Sequence, residues 1–359
     1  MIAGRAGLRV GSKYRRGPTP QYSQAMHGEL IDRRRMLNRR KLIESLLAST
    51  VCAGALPRRL NALEGQRTTR VDSTIDGVLL GVQSASFTFS GMGLVEIIGT
   101  MRAVGLSTID VMSEHIENFL GAPVLLPGEG RPGPWVPRPK MIPGSRRNVQ
   151  LTSDPAQRAT LRDWRLKVDL DRFRQIAQMF RVAGLELFSY NLSFEDTFSD
   201  DEIERGFLMT KALGTSIITA SSPVSIFGRL KSFAEKHDVV VALHNHTLGP
   251  EDFARVLALS DNFKANLDVG HFFASGYDPV SFITEHAARI TNIHIKDRKK
   301  NNGDSVPFGE GDTPLAAVFR LVKDKGLKFP ACIEYVGPAG PAIELAACKQ
   351  YCKDTIRSV

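Results

Sequence analysis

The sequence predicts an α/β fold of the (β/α)8 TIM-barrel type, and three observations lead to this prediction. Short runs rich in Val, Ile and Leu alternate with amphipathic stretches from residue 76 onward, as expected for buried parallel strands and their crossover helices. Each kind of segment occurs eight times in about 285 residues, which matches one barrel. Many of the runs end in a polar or charged residue, at the end of the strand where barrels build their active sites.

The predicted elements alternate along the chain. The strands are residues 77–83, 107–111, 184–190, 216–220, 239–244, 263–268, 290–295 and 329–335. The helices are residues 94–104, 170–182, 199–213, 224–237, 250–260, 279–288, 313–325 and 341–353. Proline is tolerated at a helix start because its missing N–H has no intrahelical partner there, and it stands near four of these starts, at Pro250, Pro279, Pro314 and Pro341. Glycine favours the left-handed conformation that ends a helix, and four helices are followed by it, at Gly105, Gly184, Gly214 and Gly326.

Two further features bear on this assignment. A doubly wound open sheet is the alternative fold, but no Gly-x-Gly-x-x-Gly motif follows the first strand, so a dinucleotide-binding fold has no support. A long insertion after the second strand, residues 121–167, holds eight prolines together with Trp135 and Trp164. In a barrel this loop lies on the C-terminal face, so we expect it to cover the pocket. A disordered surface insertion is the alternative.

The basic charge of the chain is confined to its first 70 residues. The formal net charge is +9, but residues 1–70 hold 15 Lys/Arg against 4 Asp/Glu, and the remainder holds 32 against 34. A nearly neutral body argues against a nucleic-acid partner, so we expect a small-molecule substrate. The hydrophobic content of 42% and the charged content of 24% are typical of a globular protein, and no run of 18 apolar residues predicts a membrane span.

The chain is predicted to divide into a leader and linker, residues 1–70, and a barrel domain, residues 71–359. A basic cluster that includes Arg39, Arg40 and Lys41 precedes an apolar stretch, residues 42–56, which contains the small residues 53–55. This is the order of an export signal, and residues 38–43 resemble a twin-arginine signal. We therefore expect a periplasmic or otherwise exported protein. The alternative is a disordered basic tail on a cytoplasmic protein.

Four residues that can bind a metal stand at the ends of four successive predicted strands. His244 ends the fifth strand, Asp268 the sixth, His294 the seventh and Glu334 the eighth. In a barrel these strand ends converge. Two imidazoles and two carboxylates suit Mn, Fe, Co or Zn better than Ca or Mg. Taken singly, each residue also fits a structural role, such as a helix cap for Asp268 or a surface ion pair for Glu334.

Short motifs around these residues carry a family resemblance. They are Gly81-Val82-Gln83, Leu267-Asp268-Val269-Gly270-His271, Gly276-Tyr277-Asp278-Pro279, His294-Ile295-Lys296-Asp297, Pro307-Phe308-Gly309-Glu310-Gly311-Asp312 and Ile333-Glu334-Tyr335. Over residues 76–359 the chain resembles the xylose isomerase-like sugar phosphate isomerase/epimerase family, metal-dependent TIM barrels related to AP endonucleases. The resemblance implies metal ligands at the ends of strands five to eight, which correspond to His244, Asp268, His294 and Glu334.

One residue departs from the family pattern. Many members carry a glutamate on strand five that both binds the metal and exchanges a proton, and His244 occupies that position here. The pair of glutamates that would transfer a proton is therefore incomplete. A relative that cleaves keto-glycosides by elimination beside the carbonyl fits the sequence as well as an epimerase does.

Both reactions use the same physical mechanism, in which a divalent metal polarises a sugar carbonyl and stabilises an enediolate. The candidate bases for the neighbouring C–H are His246, Glu186 and Glu334. His246 follows His244 by two residues, so on a continuing strand it would face the same way. Lys296 is a candidate to hold an oxyanion. Helix caps and salt bridges are the alternative roles of these residues.

Three further residues are candidates for binding the substrate: His271, Glu114 and Trp135. The sequence thus predicts a metal-dependent sugar isomerase or epimerase, with a carbon–oxygen lyase or hydrolase of keto-glycosides as the alternative. A non-catalytic carbohydrate-binding barrel is a second alternative, and the neutral body disfavours a DNA-repair endonuclease. The identity of the sugar and the metal stays open, as does the oligomeric state, a homo-oligomer included.

Overall fold

Eight parallel strands close into a barrel in the computed structural model, which describes residues 69–88, 90–123 and 155–359. Each strand pairs with the next along the chain, and the first of the eight also pairs with the last, through Gly81 and Cys332. A short ninth strand, β1, pairs antiparallel with β2. The strands are β1 Thr74–Ile75, β2 Val78–Gln83, β3 Thr108–Met112, β4 Glu186–Asn191, β5 Ile217–Ala220, β6 Val240–His244, β7 Phe263–Asp268, β8 Ile290–Ile295 and β9 Ala331–Ile333. The predicted barrel is confirmed.

Helices follow the strands and cover the outside of the barrel. In the described residues they are α1 Leu94–Val104, α2 Ser113–Phe119, α3 Pro155–Lys167, α4 Leu170–Val182, α5 Asp200–Ala212, α6 Phe227–His237, α7 Pro250–Leu257, α8 Val269–Ala274, α9 Pro279–His286, α10 Leu315–Asp324 and α11 Pro341–Ser358. All eight predicted helices are present. The sequence did not predict α2 and α8, because each spans at most seven residues and is too short to show a helical period.

The predicted long loop after the second barrel strand is wrong in its last part. Its final residues form α3, Pro155–Lys167, and Trp164 packs against the hydrophobic core from this helix. Trp135 and the other residues of 124–154 lie outside the described residues, so a cover over the pocket stays a prediction. The leader and linker up to residue 68 also lie outside the described residues, so the export signal stays a prediction. Within the described part of the chain, no helix has the length and apolarity to cross a bilayer.

Polar and apolar residues alternate along β3 and along the second half of β8. On β3, Ile109 and Val111 belong to the hydrophobic core, whereas Asp110 between them bonds to side chains of four other strands. On β8, Ile293 and Ile295 likewise belong to the core, and His294 contacts Asp110 across the barrel. Since successive side chains of a strand point to opposite faces, the apolar face packs on the helices and the polar face lines the interior. The barrel is therefore built around buried polar groups.

Gly270 allows the helix that follows Asp268 to pack closely against the backbone of Lys296. Gly270 in α8 lies so close to the residue that follows β8 that an added Cβ would approach the carbonyl oxygen of Lys296 to 2.4 Å. This contact is with backbone, so relief requires the helix to move. Because α8 begins directly after Asp268, such a movement would also displace that carboxylate.

We expect Gly270→Ala to lower the free energy of unfolding by about 1–3 kcal/mol, the usual cost of overpacking. Gly228→Ala in α6 is the matched control, because no atom lies within 4 Å of its added Cβ and alanine favours a helix. Urea unfolding of both variants measures the difference. Equal stability of the two variants would contradict the close approach.

Candidate metal centre

The structure brings the four predicted ligands together at the C-terminal end of the barrel. One ligand atom each of His244, Asp268, His294 and Glu334 lies within 4.8 Å of the other three. His244 and Asp268 are the last residues of β6 and β7, and a register shift in β7 before Asn266 aligns Asp268 with His294. Three of the four side chains are buried, and Glu334 is 15% exposed.

Hydrogen bonds orient both imidazoles of the cluster. His294 donates from Nε2 to Asp110 Oδ2 over 2.9 Å, which leaves Nδ1 at 3.2 Å from Glu334 Oε2. His244 donates from Nδ1 to Asn266 Oδ1 over 2.6 Å, which leaves Nε2 as its free nitrogen. The partner of one ring nitrogen decides which nitrogen can bind a metal. We therefore expect ligation through Nδ1 of His294 and Nε2 of His244.

Two buried atoms of the cluster make no hydrogen bond and only an ion-pair contact at 3.2 Å each, and a bound cation would satisfy both. They are Asp268 Oδ2 and His294 Nδ1. The other carboxylate oxygen of Asp268 already accepts from the backbone N–H of His271 over 2.7 Å, so Oδ2 is the one left for a ligand. A buried polar atom without a hydrogen bond is costly. The two nitrogen and two oxygen donors suit a transition metal or zinc, so the residues present fit such an ion.

Lys296 provides the positive charge among the buried carboxylates. Its Nζ lies 2.6 Å from Glu334 Oε1 and 3.2 Å from Asp268 Oδ2. Burial alone would raise the pKa of Glu334, but Lys296 and His294 outweigh it and hold that pKa well below its usual value. For His294, burial would lower the pKa, but the hydrogen bond to Asp110 and the nearby carboxylate of Glu334 raise it to about 9. A cation that binds His294 at neutral pH therefore displaces a proton.

Two more histidines lie beside the cluster. His271 Nε2 is 3.1 Å from Lys296 Nζ, and its Nδ1 is 2.6 Å from Arg298 Nη1. Burial and these two cations keep the pKa of His271 well below its usual value. His246 is exposed, and its ring lies 4.9 Å from that of His244 and 5.1 Å from that of His271. β6 ends at His244, as the predicted strand 239–244 does, so His246 follows the strand and is not part of it.

Other predicted site residues lie elsewhere. Glu186 is the exposed first residue of β4 and therefore lies at the N-terminal end of the barrel, opposite the cluster. Its position does not suit the role of a base at the cluster, and the predicted strand 184–190 already has Glu186 near its start. Glu114 lies buried in α2, where Ser113 Oγ donates to it over 3.2 Å. Trp135 lies outside the described residues.

Residues 149–350 match the profile of a family described as xylose isomerase-like TIM barrel. The match covers more than half of the chain. The chain belongs to this family. The family assignment rests on this match, and the solved structures that resemble the chain add the fold alone.

Solved structures share the fold of this xylose isomerase-like barrel at low sequence identity. The IolI protein with a bound zinc atom is 16% identical with a TM-score of 0.53, and the alignment covers 78% of this chain and 99% of that one. The probable 3-DHS dehydratase AsbF of Bacillus anthracis is 16% identical, with a TM-score of 0.53 over 76% and 97%. A sugar phosphate isomerase/epimerase of Parabacteroides distasonis is 15% identical, with a TM-score of 0.51 over 81% and 99%.

A curated protein matches a short part of the sequence. The rhizopine catabolism protein MocC of Rhizobium meliloti is 34% identical over 79 residues, which are 20% of this chain and 23% of that protein. The chain thus spans less than a quarter of the length of this relative.

Three polar residues around the centre of this xylose isomerase-like barrel were missed by the sequence analysis. Asp110 and Asn266 stand inside strands and bond to His294 and His244. Asp297 accepts from the backbone N–H groups of Gly309, Gly311 and Thr313 and so fixes the Gly-Glu-Gly segment next to β8. A polar residue inside an apolar strand was the available signal for the first two.

We expect His294→Ala to abolish retention of a divalent metal, because it removes one of four ligands. Glu334→Gln tests the same site without opening a cavity, and His286→Ala, on α9, is the matched control. Metal analysis of each purified variant after dialysis measures the effect, with thermal unfolding as the check of the fold. If both site variants retained metal at the wild-type level, the site would lie elsewhere.

The buried carboxyl of Glu114 makes a second prediction. Burial raises its pKa to about 7 from 4.5. The folded state therefore binds this proton more tightly than the unfolded state, so the contribution to stability is complete below pH 4.5 and is lost as the pH rises to 7. Glutamine does not titrate, so Glu114→Gln avoids this loss. Its free energy of unfolding should therefore rise by about 3 kcal/mol relative to that of wild type between pH 4.5 and 7.

Urea unfolding of wild type and Glu114→Gln across this pH range measures the trend. The exposed Glu285→Gln in α9 is the control and should follow the wild-type pH profile. A stability difference for Glu114→Gln that does not change with pH would show that this carboxyl titrates alike in the folded and unfolded states.

Proposed function

We propose that the protein is a metal-dependent enzyme that isomerises or epimerises a carbohydrate through an enediolate. The observation that carries this proposal is the cluster of His244, Asp268, His294 and Glu334 at the end of the barrel where this fold carries out its chemistry. Membership of the xylose isomerase-like family supports it. The zinc atom in the similar IolI structure supports the choice of a metal such as Zn, Mn, Fe or Co.

When bound, a divalent cation would supply Lewis acidity that polarises the sugar carbonyl and acidifies the adjacent C–H. The protein's own residues perform the remaining steps. Glu334, whose low pKa keeps it ionised, and His246 at the exposed edge of the cluster are the groups that can accept the proton. Lys296, with its Nζ beside the cluster, can donate to the oxygen on which negative charge develops.

The second candidate is a lyase of keto-glycosides, and one residue favours it. His244 stands where an epimerase of this family would carry a second carboxylate, so the cluster holds only Glu334 as a proton-exchanging glutamate. Epimerisation needs proton transfer on both faces of the carbon, whereas elimination needs one base and one acid. The similar structure of a dehydratase supports the view that this fold accommodates elimination.

Incubation with sugars in heavy water tests the proposal. We expect the metal-loaded protein to place deuterium on the carbon next to the carbonyl, as measured by NMR. Lys296→Met should slow exchange by about 10²–10³-fold, the usual effect of removing one oxyanion donor. The exposed Lys300→Met, four residues away on the same loop, should not change it.

The products decide between the alternatives. Exchange with an isomerised or epimerised sugar supports the first proposal. Loss of the glycosidic substituent from 3-keto-glycosides, without isomerisation, would replace it by the lyase. Binding of metal and sugar with neither exchange nor product would indicate a carbohydrate-binding barrel and overturn both enzymatic proposals.

A further inference from the structure

We propose that Asp110, which is not a ligand, positions His294 and sets the affinity of the centre for its metal. The inference rests on the proposed metal function but concerns a residue on the opposite side of the barrel. Asp110 lies in the middle of β3, and 184 residues separate it from His294 in sequence.

All the hydrogen-bonding capacity of the Asp110 carboxylate is directed into the barrel. Its Oδ2 accepts from His294 Nε2 over 2.9 Å and from Gln83 Nε2 over 3.0 Å. Its Oδ1 accepts from Ser189 Oγ over 2.8 Å and from Thr219 Oγ1 over 2.7 Å. The side chain is completely buried. A buried carboxylate is tolerated only when it is well bonded, and here four donors from four other strands hold it in place.

The two carboxylate oxygens of Asp110 bind different partners. Oδ1 binds two hydroxyl groups, which connect β3 to β4 and β5. Oδ2 accepts the hydrogen bond from His294 Nε2, so the imidazole cannot rotate about its axis without losing this bond. The other ring nitrogen, Nδ1, consequently stays 3.2 Å from Glu334 Oε2, inside the ligand cluster.

A carboxylate on the far nitrogen of an imidazole ligand also strengthens the ligand. It withdraws the N–H proton partially and makes the ligating nitrogen a better donor, and loss of such a partner typically costs 10–100-fold in metal affinity. The negative charge of Asp110 adds to the attraction of the centre for a divalent cation. Both effects predict that affinity depends on the charge of a residue that never touches the metal.

Asp110→Asn separates charge from shape. The asparagine can keep its oxygen toward His294 and Gln83 while its amide donates to the hydroxyls of Ser189 and Thr219, which accept hydrogen bonds as readily as they donate them. Ser189→Ala is the matched control. It removes a bond to the same carboxylate, at Oδ1, and leaves the Oδ2 contact with His294 in place.

In the experiment the metal-free full chain is titrated with Co²⁺. Calorimetry measures the affinity, and the visible absorption of the ion reports its coordination. We expect Asp110→Asn to weaken Co²⁺ binding by about 10–100-fold and to change the absorption spectrum, whereas Ser189→Ala retains affinity within about twofold. Thermal unfolding of the metal-free variants checks the fold. Wild-type affinity and spectrum in Asp110→Asn would overturn the proposal, as would an equal loss in Ser189→Ala.

A second measurement needs no variant. ¹⁵N NMR of the histidine-labelled wild type loaded with Zn²⁺ should show His294 bound through Nδ1, with the proton on Nε2. Binding through Nε2 would overturn the proposal, since Asp110 could then not hold that nitrogen. A wild type that binds metal but converts no sugar would remove the proposed function alone and leave the role of Asp110 standing.

Discussion

The centre depends on the compensation of buried negative charge. Asp268 and Glu334 lie within 4.8 Å of each other at their ligand atoms, and two carboxylates at that distance in a water-poor site repel each other strongly. Lys296 contacts both and His294 contacts one, so the cluster carries cationic partners of its own. A divalent cation adds the charge that two carboxylates can still accept. The ligand geometry and the affinity for metal follow from this balance.

The closed barrel makes such a balance possible. Apolar side chains on the outer face of each strand pack under the helices, which leaves the inner face free for polar groups. Because all eight strands run in one direction, their C-terminal ends deliver side chains to the same place. The interior then connects the ligands to residues deeper in the barrel, through Asp110 for His294 and Asn266 for His244.

The sequence predicted the features that depend on short segments of the chain. The eight strands and the four candidate ligands each follow from a short segment, so they were accessible without coordinates. Asp110 was missed because its partner is far away in sequence, and no local pattern reports a contact across the barrel. Glu186 was considered as a base for its residue type, although it stands near the start of its strand and so at the opposite end of the barrel from the cluster. The six-residue α8, which the carboxylate of Asp268 caps, was missed because it is too short to show a helical period.

The Gly-Glu-Gly segment, residues 309–311, is a fixed part of the rim of the barrel. Three backbone N–H groups bind Asp297, and a side chain at Gly311 would place its Cβ 1.8 Å from Asp297 Oδ1. Phe308 of the same segment lies against Tyr335, the neighbour of Glu334 in the chain. This wall has little room for evolutionary change. A larger side chain at Gly311 would have to displace Asp297 or the segment itself, so the part of the rim next to Glu334 keeps one shape.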